Sequence, residues 1–259
     1  MKKICFLAAL YVSFSTLFAA GLSTGGERPL PPSIKVLIVN NTPGILLEVR
    51  GKYKIFDPHT MEHLSTRFVG KRKYLQALSN GLKWGEEFPG IFQLLLVPDD
   101  PRTTTLVDGV PYEGRLIIYD VAGKIAIVNE VEIEKYLDSL LSSEKTESLP
   151  GEALGALVIA NRTQAYYQAN HPKTPYWAID GTKTGYKGYG KQNPNVEKAL
   201  QTTKYLVLTE GDQTFNARWE DAKLPLTEAE NLASQGENAA EILKKAFPST
   251  SLKVMLNNP

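Results

Sequence analysis

Apolar positions along the chain change their period near residue 130. Before that point they come in short runs bounded by Gly, Pro, Asn or Asp, the signature of strands. Ile34-Lys35-Val36-Leu37-Ile38-Val39 is apolar on both faces, as a strand buried on two sides would be. Residues 45–49 and 53–56 flank Arg50-Gly51-Lys52, which predicts a hairpin. Residues 92–97 predict another buried strand, with a turn at Asp99-Asp100-Pro101. Residues 112–119 and 124–129 predict a second pair joined at Ala122-Gly123. Then Val131, Ile133, Tyr136, Leu137, Leu140 and Leu141 recur at helical spacing.

A polar turn with two carboxylates, Glu144 and Glu147, comes next and leads into a long helix. Pro150 suits a first helical turn, where its missing N–H would be unpaired anyway. Glu152 complements the helix dipole. The small and aliphatic run to Ala160 predicts a helix buried on most sides, interrupted only by Gly155. Glu152, Ile159, Arg162, Thr163 and Tyr166 form a stripe expected to face something wet. An arginine shut away needs a partner, and the expected one is the acidic turn, chiefly Glu144.

A Pro-, Gly- and Tyr-rich loop spans 171–193. A helix over 194–203, a strand over 205–208 and a further short strand over 214–217 are predicted after it. The last helix, 238–247, is expected to be capped by Ser234, with Glu237 three residues on. Strands first and helices afterwards imply an α+β fold rather than alternating βαβ units. The expected architecture is a single main domain of mostly antiparallel strands with a buried central helix after the turn. The boundaries read as 23–32 for a linker, 33–220 for the main domain and 221–259 for a small helical C-terminal tail. No internal repeat is present.

Composition narrows the function classes. The 259 residues carry a formal net charge of +1, so no strong field draws the chain to nucleic acid or to an anionic membrane. Lys2 and Lys3 precede an apolar run that ends in Phe18-Ala19-Ala20-Gly21, the form of a secretory signal over residues 1–22. The run is short for a span of about 20 residues. Cleavage between Ala20 and Ser23 would leave no stable membrane anchor. Cys5, the one cysteine, falls inside that segment, so the mature chain would have no thiol, disulfide or cysteine metal site. The basic run Val69-Gly70-Lys71-Arg72-Lys73 reads as a solvated face. His59 and His63 are four apart, a spacing that suits a metal only on a helix. Pro58 and the strand-and-turn pattern argue against one. No metal or cofactor is expected.

Several pieces in order resemble the Stage II sporulation protein D family, also called the amidase-enhancer family. They are Ile34-Lys35-Val36-Leu37-Ile38, Tyr112-Glu113-Gly114, Val128-Asn129 and Glu134-Lys135-Tyr136-Leu137. The central match is Ser143-Glu144, Pro150, Glu152-Ala153-Leu154 and Ala160-Asn161-Arg162-Thr163. Asp180, Thr182, Tyr186 and Gly188 resemble the family's Asp-Thr loop, and residues 196–203 the helix after it. The resemblance implies an exported, periplasmic or cell-wall-associated lytic transglycosylase acting on peptidoglycan glycan strands stripped of their peptides. It puts the catalytic acid on Glu144 and the motif arginine on Arg162. Ser143, Arg162, Thr163, Asp180, Thr182 and Tyr186 are the expected substrate-binding residues. The chain departs from the pattern at Lys145, where Met is common, and at Gln164, where Tyr is usual. It also lacks the cysteines associated with zinc in that loop, and a late Ser-Gly-Gly motif.

Glycoside hydrolases usually need two carboxylates. A lytic transglycosylase needs one, because the sugar's own C6 hydroxyl attacks the anomeric carbon and a single carboxyl serves as acid and then base. Arg162 and Thr163 are read as either structural or functional. The tyrosines of the loop, Tyr186 and Tyr189, suit packing on a pyranose face. Two other readings stand beside the enzyme. One is a non-catalytic wall binder that enhances an amidase; the other is an exported partner of a division complex acting through its tail.

Overall fold

The computed structural model describes residues 32–68, 70–142, 146, 148–189 and 192–255. The expected signal segment and the linker up to residue 31 lie outside the described residues, as do Ser143, Glu144, Lys145 and Glu147 of the turn.

Twelve strands come first: β1 (Ser33–Thr42), β2 (Gly44–Arg50), β3 (Tyr53–Phe56), β4 (His63–Arg67), β5 (Gly70–Leu78), β6 (Gly81–Trp84), β7 (Glu86–Pro89), β8 (Gln93–Pro98), β9 (Thr104–Val107), β10 (Val110–Tyr112), β11 (Arg115–Val121) and β12 (Lys124–Glu132). Helices dominate afterwards: α1 (Ile133–Leu141), α2 (Gly151–Asn170), then β13 (Ile179–Asp180), α3 (Gly181–Thr184), α4 (Pro194–Thr202), β14 (Leu206–Thr209), α5 (Leu226–Ser234), α6 (Ala239–Ala246) and β15 (Ser251–Val254). The fold is therefore α+β, with mostly antiparallel sheets.

A seven-stranded sheet has the order β13-β1-β12-β11-β8-β3-β4, and a six-stranded sheet the order β10-β9-β2-β5-β6-β7. β12 is an interior strand of the seven-stranded sheet, and its apolar residues divide by parity. Ile125, Ile127 and Val131 join the main core with the helices and the six-stranded sheet, while Ala126 and Val128 pack on the opposite face. The turn Ala122-Gly123 has positive φ at both residues, and Asp120 Oδ1 accepts from the Gly123 N–H at 2.8 Å. That is the tight hairpin geometry expected there.

The hairpin expected at Arg50-Gly51-Lys52 does not form. β2 belongs to the six-stranded sheet and β3 to the seven-stranded one, so the chain changes sheet at Gly51. Gly51 has φ +125°, and a side chain there would collide with Thr103. The Lys52 carbonyl accepts from the Asp99 N–H at 2.9 Å and from Thr103 Oγ1 at 3.1 Å, which pins the crossover. A glycine between two apolar runs serves a sheet change as well as a hairpin, and only the long-range partners distinguish them.

α2 is buried on two sides, as its composition predicts. Leu154, Leu157, Val158 and Ala165 join the main core. Ala156, Ile159 and Ala160 pack with Ala229, Leu232, Ile242 and Leu243 of the tail. The tail is thus a helical layer on α2 rather than a free arm, and it ends in β15, which pairs antiparallel with β14. The cap expected at Ser234 is also different. Ser234 closes α5, and α6 starts from Asn238 with a capping box to Glu241. Residues 214–217 form no strand; Phe215 instead sets its ring 5.8 Å from Phe247. Among the described residues no helix is long and apolar enough to cross a membrane.

Candidate functional site

α1 is amphipathic. Ile133, Tyr136, Leu137 and Leu141 are buried, while Glu134, Asp138 and Ser142 follow one another at intervals of four along another face. That polar row runs directly into the turn that carries Ser143 and Glu144. Ser142 Oγ donates to Asp138 Oδ1 at 3.1 Å, and the Ser142 N–H to the Asp138 carbonyl at 2.9 Å. On the far side of the turn, buried Thr146 donates its hydroxyl to the Leu141 carbonyl. Ser142 and Thr146 are therefore both held by α1.

Arg162 is fully buried, and its partner is Glu134. Nε and Nη2 bond the two Glu134 oxygens at 2.7 and 2.8 Å, a bidentate fork. Nη2 also donates to the Leu200 carbonyl at 3.3 Å, and Nη1 to the carbonyls of Thr203 and Leu206 at 2.8 and 3.2 Å. All five guanidinium N–H groups are used inside the protein. The expected pairing with Glu144 concerns a residue outside the description; the described fork ties α2 to α1, to the end of α4 and to β14. Thr163 is equally enclosed. Its hydroxyl donates to the Ile159 carbonyl and accepts from the Leu208 N–H, both at 2.8 Å.

The wet-facing stripe expected on α2 is accordingly dry at Ile159, Arg162, Thr163 and Tyr166, because β14, α4 and the tail cover it. Only Glu152 is exposed, and it accepts from the Ala239 N–H at the start of α6 at 2.8 Å.

The loop around residues 180–189 is anchored through its aromatic side chains. Tyr186 is buried, with its hydroxyl 2.6 Å from Asn129 Oδ1 and its ring near those of Tyr112 and Tyr136. Burial pushes the Tyr186 phenol well above its ordinary range and the Tyr136 phenol to about 12, so both stay protonated donors. Asn129 in turn donates to the carbonyls of Glu113 and Arg115. Gly188, at φ +67°, packs so close to Pro111 that a side chain would strike its carbonyl. Tyr186 is a plug rather than a sugar platform. Among the described residues of the loop, Thr182, Lys183, Thr184, Gly185, Lys187 and Tyr189 are exposed. Asp180 caps α3 through the Thr182 N–H and hydroxyl, and those bonds together with Lys183 hold its carboxyl below the usual range.

Between α1 and α4 lies a groove of about 260 Å³, lined by Glu134, Lys135, Asp138, Gln192, Glu197, Leu200, Gln201 and Lys204. Burial pushes the Asp138 carboxyl above its usual range against the Ser142 bond, and Glu197 and Glu113 add to the rise. A second cleft of about 420 Å³ opens on the other side of α4, lined by Leu149, Gly151, Asn195, Lys198 and Thr202 among others. The turn thus runs from Ser142, bonded to the first groove's Asp138, to Leu149 in the second. Asn193, buried at the N-terminus of α4, accepts from the Asn195 N–H at 2.9 Å, and its own Nδ2 has no partner among the described residues.

Of the expected residues, Arg162, Thr163 and Tyr186 are each buried as positioning groups, Tyr186 in a network separate from that of Arg162. Asp180 and Thr182 lie together at the cap of α3, and Ser143 lies outside the description. Glu134, Asp138, Gln192 and Glu197 were not expected as site residues from the sequence, although the interval of four from Glu134 to Ser142 was a usable signal. The donor set does not suit zinc, which takes thiolate, imidazole or carboxylate ligands. Between residues 171 and 193 only His171 and Asp180 are of those types, and both are engaged locally. His59 and His63 are not on a helix: His59 lies in the turn before β4 and His63 begins that strand.

A family model described as Stage II sporulation protein (SpoIID) matches residues 121–209, which contain the whole α1–α4 groove and the Arg162 network. The chain is 33% identical over 234 residues to an uncharacterized protein of Chlamydia pneumoniae, covering 88% of this chain and 84% of that one. It is 32% identical over 230 residues to an uncharacterized protein of Chlamydia muridarum, covering 86% and 78%. A protein of Brachyspira hyodysenteriae is 28% identical over 175 residues, covering 66% of this chain and 47% of that one. The chain belongs to the Stage II sporulation protein (SpoIID) family.

Proposed function

We propose that the protein is an exported lytic transglycosylase that cleaves the MurNAc–GlcNAc bond of peptide-stripped glycan strands, with Glu144 as its acid and base. Family membership supports a cell-wall-related function. The observation that carries the finer reading is the position of the turn. It falls inside the matched stretch, its flanking Ser142 and its Thr146 are bonded to α1, and Ser142 bonds Asp138, which lines the groove between α1 and α4.

The Glu144 carboxyl gives its proton to the bridging oxygen as the bond to the anomeric carbon breaks, and the electron pair leaves with that oxygen. The carboxylate then takes the proton of the C6 hydroxyl as O6 closes on the oxocarbenium-like centre, giving a 1,6-anhydro end. No water or oxidant is consumed. Arg162 does not touch the sugar in this scheme. It neutralises and fixes Glu134 and so positions α1, whose polar row lines the groove. Export rests on the signal-like first residues and places the enzyme in the periplasm or at the wall.

The test uses purified stripped strands and mass spectrometry of the products. Anhydro ends are expected with the natural chain and none with Glu144→Gln, at unchanged melting temperature. Reducing ends alone, or full turnover by Glu144→Gln, would overturn the reading. The altered loop, without its cysteines, favours the second reading of a wall binder that enhances an amidase. Strand binding without any anhydro product would select it.

A further inference from the structure

Away from the helices, a second cavity of about 260 Å³ opens where the two sheets meet, lined by Tyr53, Arg67, Gly70, Lys71, Lys73 and Trp84. We propose that this mouth binds carboxylate groups of an anionic glycan, namely the free carboxylates left along a strand once its peptides are removed. The proposal rests on the substrate class proposed above and assigns the feature that distinguishes a stripped strand from others.

Several acids of this half of the molecule already have cationic partners. Glu48 pairs with Arg50, Asp99 with Lys52 and Lys54, Glu87 with Lys83, and Glu86 with Arg67 at the rim of the mouth. Lys71 and Lys73 have no ion pair with any described residue. The strand geometry brings them to the cavity. Between Lys73 and Gly70 the register of β5 against β2 gains a residue, since Leu47 faces Lys73 while Val49 faces Gly70. Such a bulge re-aims side chains.

The floor is made of rings and donors. Trp84 sets its ring 5.8 Å from that of Tyr53, and its indole N–H is spent on the Leu47 carbonyl at 3.2 Å. A side chain at Gly70 would come within 2.8 Å of the Tyr53 hydroxyl, so glycine there leaves that hydroxyl room. Burial raises the Tyr53 phenol more than the nearby Arg67 charge lowers it, and it remains an O–H donor. Two ammonium groups, a phenol and the Arg67 guanidinium, already paired with Glu86 at the rim, therefore line one mouth. Unpaired cations at a concave donor-rich surface select an anion.

In a peptide-bearing strand the lactyl carboxyl of each muramic acid is an amide. Removing the peptide frees it, so a stripped strand repeats a carboxylate along its backbone. β3 and β4 form the edge of the seven-stranded sheet opposite β13. A strand that engaged both this mouth and the site proposed above would gain avidity from its second attachment without any new contact at the turn. The mouth also lies outside the stretch matched by the family model.

The test measures binding of the full-length chain to long stripped strands and to the same strands after chemical amidation of their carboxylates. The natural chain and Glu144→Gln are expected to bind stripped strands at least about tenfold tighter, since a second attachment can raise avidity by about 10²–10⁴. In Lys71→Gln/Lys73→Gln that ratio should fall to near one with an unchanged melting temperature. Equal binding of both strands by the natural chain, or an unaltered ratio in the double variant, overturns the proposal. Displacement by inorganic phosphate with no preference between the two strands would make the mouth a phosphate site and equally overturn it. Failure of the enzyme reading looks different: lysine-dependent binding with no anhydro product leaves the mouth standing and removes the transglycosylase.

Discussion

Two cationic regions of this protein have opposite fates. Arg162 is closed inside the helical layer with every N–H bonded and its charge met by both oxygens of Glu134. Lys71 and Lys73 lie at an open mouth and pair with no carboxylate among the described residues. A buried charge is tolerated only when completely partnered, so the first arrangement is a framework device. A charge left unpaired at a cavity adds little to stability, and the partner it lacks would come from outside. The motif arginine of the family is thus the structural cation here, and the basic run that reads as ordinary surface is the recognising one under our proposal.

The comparison breaks most readily at Arg162. Arg162→Met strips the donors from Glu134 and three carbonyls and should cost about 3–5 kcal/mol in urea unfolding. Arg162→Lys should recover only part of this, because one ammonium cannot reproduce the fork. A Met variant as stable as the natural chain would mean the network does not hold the helices together. Thr163→Val orphans the Leu208 N–H and should cost about 1–3 kcal/mol, read the same way.

Asp138 sharpens the comparison from the groove side. Its folded-state carboxyl lies above the ordinary value of 3.8, so the folded chain holds the proton more tightly than the unfolded one. Stability therefore falls as pH rises from 3.8 through the folded value, and at neutral pH the ionised group is a cost. Asp138→Asn keeps an acceptor for Ser142 and should stabilise the protein at pH 7 by up to about 0.5 kcal/mol. The gain should vanish in melts taken below pH 3.8. A gain that persists in acid would assign the effect to packing instead. The smallest effect is expected at the mouth: Lys71→Gln/Lys73→Gln should melt within about 0.5 kcal/mol of the natural chain. A loss larger than that of Thr163→Val would make those lysines structural and erase the contrast.

Much of this was legible beforehand, and the misses have a common cause. The strands at 34–39, 92–97 and 124–129, the helix α1 and the buried α2 follow from local period and composition, which decide which face can be dry. The need of Arg162 for a partner was readable, but its identity was not, since Glu134 lies 28 residues away and Glu144 was nearer in sequence. Ser234 with Glu237 and Asn238 with Glu241 both match a capping box. Only the second is used, because α5 occupies Ser234. The tyrosines of the 180–189 loop suit a sugar by chemistry, yet Tyr186 faces inward because Asn129, 57 residues earlier, accepts its hydroxyl.

By itself the chain of residues determined the α+β class, the order of strands before helices, the dry length of α2 and the order of the family's motifs, because each depends on neighbours a few positions apart. The tertiary structure alone decided that β2 and β3 belong to different sheets, that Arg162 is enclosed and that Lys71 and Lys73 are not. Those outcomes depend on which distant acids and carbonyls are brought within hydrogen-bond reach, and no local period encodes that.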